Sequence, residues 1–159
     1  MSENSSSKKR ILRLFYVAVF SSMAASFAHP VTPTLIIERQ LDSSMFGIAL
    51  AAMSTMSFLF APFWGKLCNY LPTRTIVLIC GIGYAVGQYI FGSAYTEAQI
   101  IAGRMFAGMF TGGAFTALTN YLVNTSDPKD RGSNLTVYVT IQNVAGAVGY
   151  FVGGFMGLV

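Results

Sequence analysis

Two apolar stretches, residues 44–64 and 75–93, are each long enough to cross a hydrocarbon layer, and only the polar turn of residues 65–74 (Gly-Lys-Leu-Cys-Asn-Tyr-Leu-Pro-Thr-Arg) separates them. Crossing takes about 20 helical residues at about 1.5 Å rise each. In lipid a spanning segment must pair its backbone polar groups internally, so both stretches read as helices, and so short a turn makes them antiparallel neighbours. Gly65 permits close backbone approach at the turn, Pro72 ends any helix continuing from the first stretch, and Lys66 and Arg74 favour the cytoplasmic face. Only 10% of the residues are charged and 53% are apolar, against about 25% charged in an ordinary soluble domain. A soluble globular fold is excluded on that ground. The net charge of +4 is explained by Lys and Arg gathered on cytoplasmic loops, since no basic stripe interleaved with aromatics suggests nucleic acid.

Taken in order, residues 1–10 are polar and expected to be disordered. Helices follow at about 11–37, 44–67, 74–93, 97–122 and 135–159, the first bent near Pro30 and Pro33. Lys8, Lys9, Arg10, Arg13, Lys66, Arg74, Lys129 and Arg131 fall on one side of this pattern and Arg39 on the other. Five crossings of a plasma membrane with a cytoplasmic N-terminus satisfy that asymmetry. The fold class is therefore an all-α membrane protein, a polytopic helical bundle. Cys68 and Cys80 have no metal-ligand spacing and read as free thiols.

Polar residues inside the spans are the functional candidates. Arg104 lies roughly 10 Å below the outer surface at 1.5 Å per residue, too deep for a loop charge. It either snorkels outward or serves function. His29 sits at the bend of the first helix, where it contacts substrate or a proton, or simply pairs with a nearby carbonyl. Asn120, Gln142 and Asn143 either line a water-filled path or hydrogen-bond a neighbouring helix. The acids Glu3, Glu38, Asp42, Glu97, Asp127 and Asp130 all fall in the tail or at helix ends, with Asp42 or Ser43 placed to cap the second helix. Small residues mark helix contacts: Gly108 and Gly112 on the fourth helix, and Ala145, Gly149, Gly153 and Gly157 at intervals of four on the fifth, with Gly154 beside them. No nucleophile-base-acid set, metal cluster or phosphate loop is present, so neither an enzyme, a metal nor a cofactor is expected.

Three motifs carry a resemblance. Gly65, Lys66, Leu67, Asn69 and Arg74 resemble the loop between helices 2 and 3 of the major facilitator superfamily, with Asn69 at the usual Asp. Arg104, Gly108 and the small residues Thr111, Gly112, Gly113 and Ala114 resemble its helix 4 pattern. Gly149-Tyr150-Phe151-Val152-Gly153-Gly154 resembles the G-P-x-x-G-G element of its drug-proton antiporters, with Tyr150 at the Pro. The resemblance implies five helices of a six-helix N-terminal bundle, a cytoplasmic gate loop at Gly65, Lys66, Asn69 and Arg74, and a role for Arg104 in proton coupling or binding-site electrostatics. It also implies a fragment needing a second, C-terminal bundle as partner, with substrate held between the two and access alternated by rocking. The function implied is proton-coupled efflux of small hydrophobic compounds across the bilayer. The alternatives are an uptake carrier for an organic anion, with Arg104 as counter-charge, and a non-transporting membrane protein whose glycines serve only helix association.

Overall fold

The computed structural model describes residues 2–156. The described residues form six helices: α1 Ser2–Phe27, α2 Val31–Glu38, α3 Met45–Leu67, α4 Thr73–Gly92, α5 Glu97–Thr125 and α6 Arg131–Met156. The architecture is all-helical, and three differences from the sequence expectation have physical reasons. Residues 2–10, expected to be disordered, continue α1 toward the N-terminus; extending an existing helix costs far less than nucleating one. The bent first span is two helices. Pro30 offers no N–H to the Ser26 carbonyl, which accepts from the His29 N–H at 3.3 Å instead, and the chain turns before α2 begins. Pro33 then falls in the first turn of α2, where its missing N–H has no intrahelical acceptor to lose. Finally, α6 starts at Arg131 rather than near 135: Asn134 donates its N–H to the Asp130 carbonyl at 2.9 Å, which closes the first turn early.

Among the described residues, four segments are long and apolar enough to cross a membrane, Ile11–Glu38, Met45–Leu67, Thr73–Gly92 and Arg131–Met156. The 29-residue α5 is not among them. Its sequence holds Gln99, Arg104, Asn120 and Asn124 among glycines and threonines.

The chain divides into two compact units, one made of the segment through His29 with the segment from Leu118 onward, the other of Pro30–Ala117. In the first unit α1 and α6 pack backbone on backbone. A Cβ added to Gly149 would stand 3.0 Å from Met23 Cα, and one added to Gly153 would meet the Phe27 carbonyl. Contacts advance together along both helices, from Met23 with Gly149 to Phe27 with Gly153, so the pair is parallel. Ala145, Gly149 and Gly153 form the buried stripe. Gly154 is half-buried beside it, and Gly157 lies outside the described residues.

In the second unit α5 is held on two sides. Toward α4 the contacts run antiparallel: Gly113 against Cys80, Phe110 against Gly83, Ala107 against Gly87 and Gly103 against Phe91. Toward α3 they run parallel, Gly108 on the Met53 backbone and Gly112 on Ser57. Trp64 of α3 donates its indole N–H to the Met109 carbonyl of α5 at 2.6 Å. A helix enclosed by protein on two sides needs less apolar surface than one facing lipid, which is how α5 accommodates Arg104; Gln99 and Asn124, near its two ends, are exposed. Its neighbours carry the exposed apolar side chains that lipid requires, among them Phe58 on α3 and Ile82 on α4. Two apolar clusters close the unit at its ends. One gathers Ile36, Met45, Ala49, Phe91, Ala94 and Ile100; the other gathers Trp64, Ile76, Cys80 and Ala117.

The turn between α3 and α4 is as short as the sequence requires. The Leu71 N–H donates to the Leu67 carbonyl at 3.0 Å, and Pro72, with extended backbone (φ −65°, ψ 142°), precedes the first turn of α4. Gly65 behaves otherwise than expected. An added Cβ there would meet only Thr116 Cγ2, at 4.0 Å, so no backbone approaches it closely.

Candidate functional site

Arg104 has none of its surface exposed. A snorkelling arginine would present its tip to solvent, and this one does not. Its guanidinium carbon lies 3.7 Å from the centroid of the Phe91 ring, with Nη1 3.9 Å from Met53 Sδ. Nη2 donates to the hydroxyl of Thr32, itself fully buried. Contacts from α2, α3 and α4 thus converge on one side chain of α5. The backbone makes room for it: Gly103 presses on the Phe91 main chain, and Gly87 lets Ala107 approach so closely that an added Cβ would stand 2.7 Å from Ala107 Cα. These close approaches bring the Phe91 ring within cation–π range, an attraction worth about 2 kcal/mol when desolvated. Arginine does not lose its proton in proteins, so this site is a fixed positive charge inside a unit of membrane-length helices.

Thr32, Met53 and Phe91 were not legible as site residues. Phe91 reads as an interface aromatic and Met53 as core filler, and nothing marks Thr32 except its place two residues after Pro30. A signal was present in the i, i+4 pair Gly87 and Phe91, which puts an aromatic ring one turn beyond a close helix contact.

His29, Asn120, Gln142 and Asn143 belong to the other unit. The half-buried His29 stacks on Tyr150 of α6, ring centroids 5.5 Å apart and planes 18° from parallel. Tyr150, the residue at the position of the antiporter proline, therefore packs against the end of α1. Asn120 accepts a hydrogen bond from Asn124 Nδ2 at 3.0 Å along its own helix. Gln142 faces the fully buried Tyr138, which also faces Thr119 of α5; Tyr138 is a second polar residue that the sequence reading missed. Asn143 is exposed.

At the turn, Lys66, Asn69 and Arg74 are all exposed, and the Asn69 N–H donates to the Lys66 carbonyl at 3.1 Å. Asp42 accepts the Ser44 N–H at 2.8 Å, so the carboxylate and not Ser43 organises the start of α3. Hydrogen bonds from Ser44 hold its carboxyl below the usual carboxylate range. No group of three or more His, Cys, Asp or Glu able to hold a metal occurs among the described residues.

Long apolar helices packed glycine to backbone around a buried cation define a multi-pass, all-helical membrane protein. A model of the Major Facilitator Superfamily matches residues 14–159, and the chain belongs to that superfamily of membrane transporters. It is similar to the quinolone resistance protein NorA of Staphylococcus aureus, 24% identical over 93% of this chain and 38% of the relative. It is also similar to the class H tetracycline resistance protein of Pasteurella multocida, 25% identical over 94% of this chain and again 38% of the relative. The chain thus spans well under half the length of these curated relatives.

Proposed function

We propose that this chain supplies the first five membrane crossings, with α1 and α2 together making the first, of a proton-coupled exporter of small hydrophobic compounds, working with a second bundle by alternating access in the plasma membrane. The observation that carries the reading is the complete burial of Arg104 against Phe91, Met53 and Thr32. A permanent cation in low dielectric holds a facing carboxylate ionised, and protonation of that carboxylate weakens the attraction between them. Loading and unloading a proton then biases two arrangements of the helices, which is what coupling requires. The partner acid belongs to the second bundle in this reading, because the acids of this chain sit in the tail or at helix ends. Two relatives named for resistance to quinolones and tetracycline support export of small organic compounds. The basic asymmetry of the turns supports a cytoplasmic N-terminus, with Lys66, Asn69 and Arg74 at a cytoplasmic gate.

Everted membrane vesicles containing the complete transporter test this directly. Acidifying the vesicle lumen is expected to drive accumulation of a fluorescent hydrophobic compound, and dissipating the proton gradient to release it. Accumulation indifferent to the gradient, or gradient-driven movement of an organic anion alone, overturns the reading.

A further inference from the structure

Phe91, Met53 and Thr32 all touch the Arg104 guanidinium, and they differ in what they can impose on it. An aromatic face attracts a cation through a broad quadrupole, and a thioether is a weak acceptor, so Phe91 and Met53 hold the group without fixing its rotation. A hydroxyl oxygen is a directional acceptor. Thr32 is β-branched, with few χ1 choices, and lies buried in the first turn of α2, an eight-residue helix of its own. Its oxygen is therefore a fixed point on one helix to which a charge on another is bound. The cluster of Ile36, Met45, Ala49, Phe91, Ala94 and Ile100 surrounds this end of the unit with apolar groups, where a directional bond is at its strongest.

We infer that Thr32 is a positioning residue for Arg104: its hydroxyl sets the guanidinium in one orientation on the Phe91 ring and ties α2 to α5, so that any anionic group engaging the arginine competes with that hydroxyl. This rests on the proposed part of Arg104 in transport. Its own content is narrower, namely that the Thr32 oxygen and the Arg104 charge act as one coupled pair.

Two measurements on the complete transporter test it. Thermal unfolding of the purified protein without substrate reads the tie itself through Thr32→Val, which keeps the shape and removes the acceptor, Arg104→Met, and the double variant. Each single change is expected to lower the midpoint and the double to fall no further than the worse single; additive losses overturn the inference. Flux of a fluorescent hydrophobic compound in proteoliposomes reads the consequence. Thr32→Val is expected to lower turnover about tenfold with KM within about twofold, and Thr32→Ser to restore it. Flux kept in the Val variant, or lost in the Ser variant as in the Val one, overturns the inference, since a steric role would survive Thr32→Val and suffer from Thr32→Ser, which removes the methyl. If Arg104→Met leaves flux intact while the unfolding losses remain non-additive, the transport reading fails and the tie between the two residues stands.

Discussion

The α1–α6 pair and the α3–α4–α5 cluster use the same device to different ends. In both, glycines let backbones touch: Gly149 and Gly153 on Met23 and Phe27, Gly87 and Gly108 on Ala107 and Met53. In the first the contact is one stripe between two helices, and Phe151 and Phe155 of α6 are exposed. In the second, α5 is held from both sides, and it is there that a charged residue is wholly buried. Close packing alone draws helices together. Packing on two faces also makes an interior, and only an interior can hold a charge at membrane depth.

The largest expected effect comes from filling the doubly packed contact. Gly87→Leu places a branched side chain against the Ala107 backbone, where nothing can rotate aside, and should destabilise by about 3 kcal/mol or more. Loss of folded protein in detergent, seen by size-exclusion chromatography, is the expected result; a normal elution profile would break the distinction between the two regions. Gly153→Ala is a smaller insult to the single-stripe contact. Its methyl meets the Phe27 carbonyl, and a loss of about 1–2 kcal/mol, read as a lower thermal midpoint, is expected.

Gly65→Ala sharpens the comparison by reversing the sign. Space for a methyl exists beside Thr116, so the gain in helix propensity should stabilise by about 0.5–1 kcal/mol. A midpoint that falls would show a close approach at Gly65. The smallest effect is at Asp42, outside both packed regions. Its carboxyl is held below the usual 3.8 in the folded chain, so its contribution is fully present above that value and is lost as pH falls through the lower, folded one. Asp42→Asn should therefore flatten the acid limb of the stability profile slightly and leave neutral pH nearly unchanged.

These contrasts also show what was legible in advance. The two long apolar runs on either side of the basic turn at 65–74 are α3 and α4 in the structure, because lipid permits a run of that length few other structures. The interval of four along α6 exposed its stripe. Gly65 and Gly87 could not be told apart by residue type, since what decides between them is the atom opposite, Thr116 Cγ2 in one case and the Ala107 backbone in the other. Arg104 was visible as a costly residue; its neighbours were not. Thr32 comes from a helix that the bent-span reading merged with α1, and Phe91 and Met53 are ordinary residues for a membrane interior until a guanidinium lies against them.

The central claim is that the buried charge of Arg104 takes part in moving substrate. Arg104→Gln removes the charge while retaining a polar side chain, and proton-driven flux through the complete transporter in proteoliposomes reads the consequence. The account predicts that flux falls to the level of empty liposomes while the protein stays folded and monodisperse. Flux at the wild-type rate would contradict it.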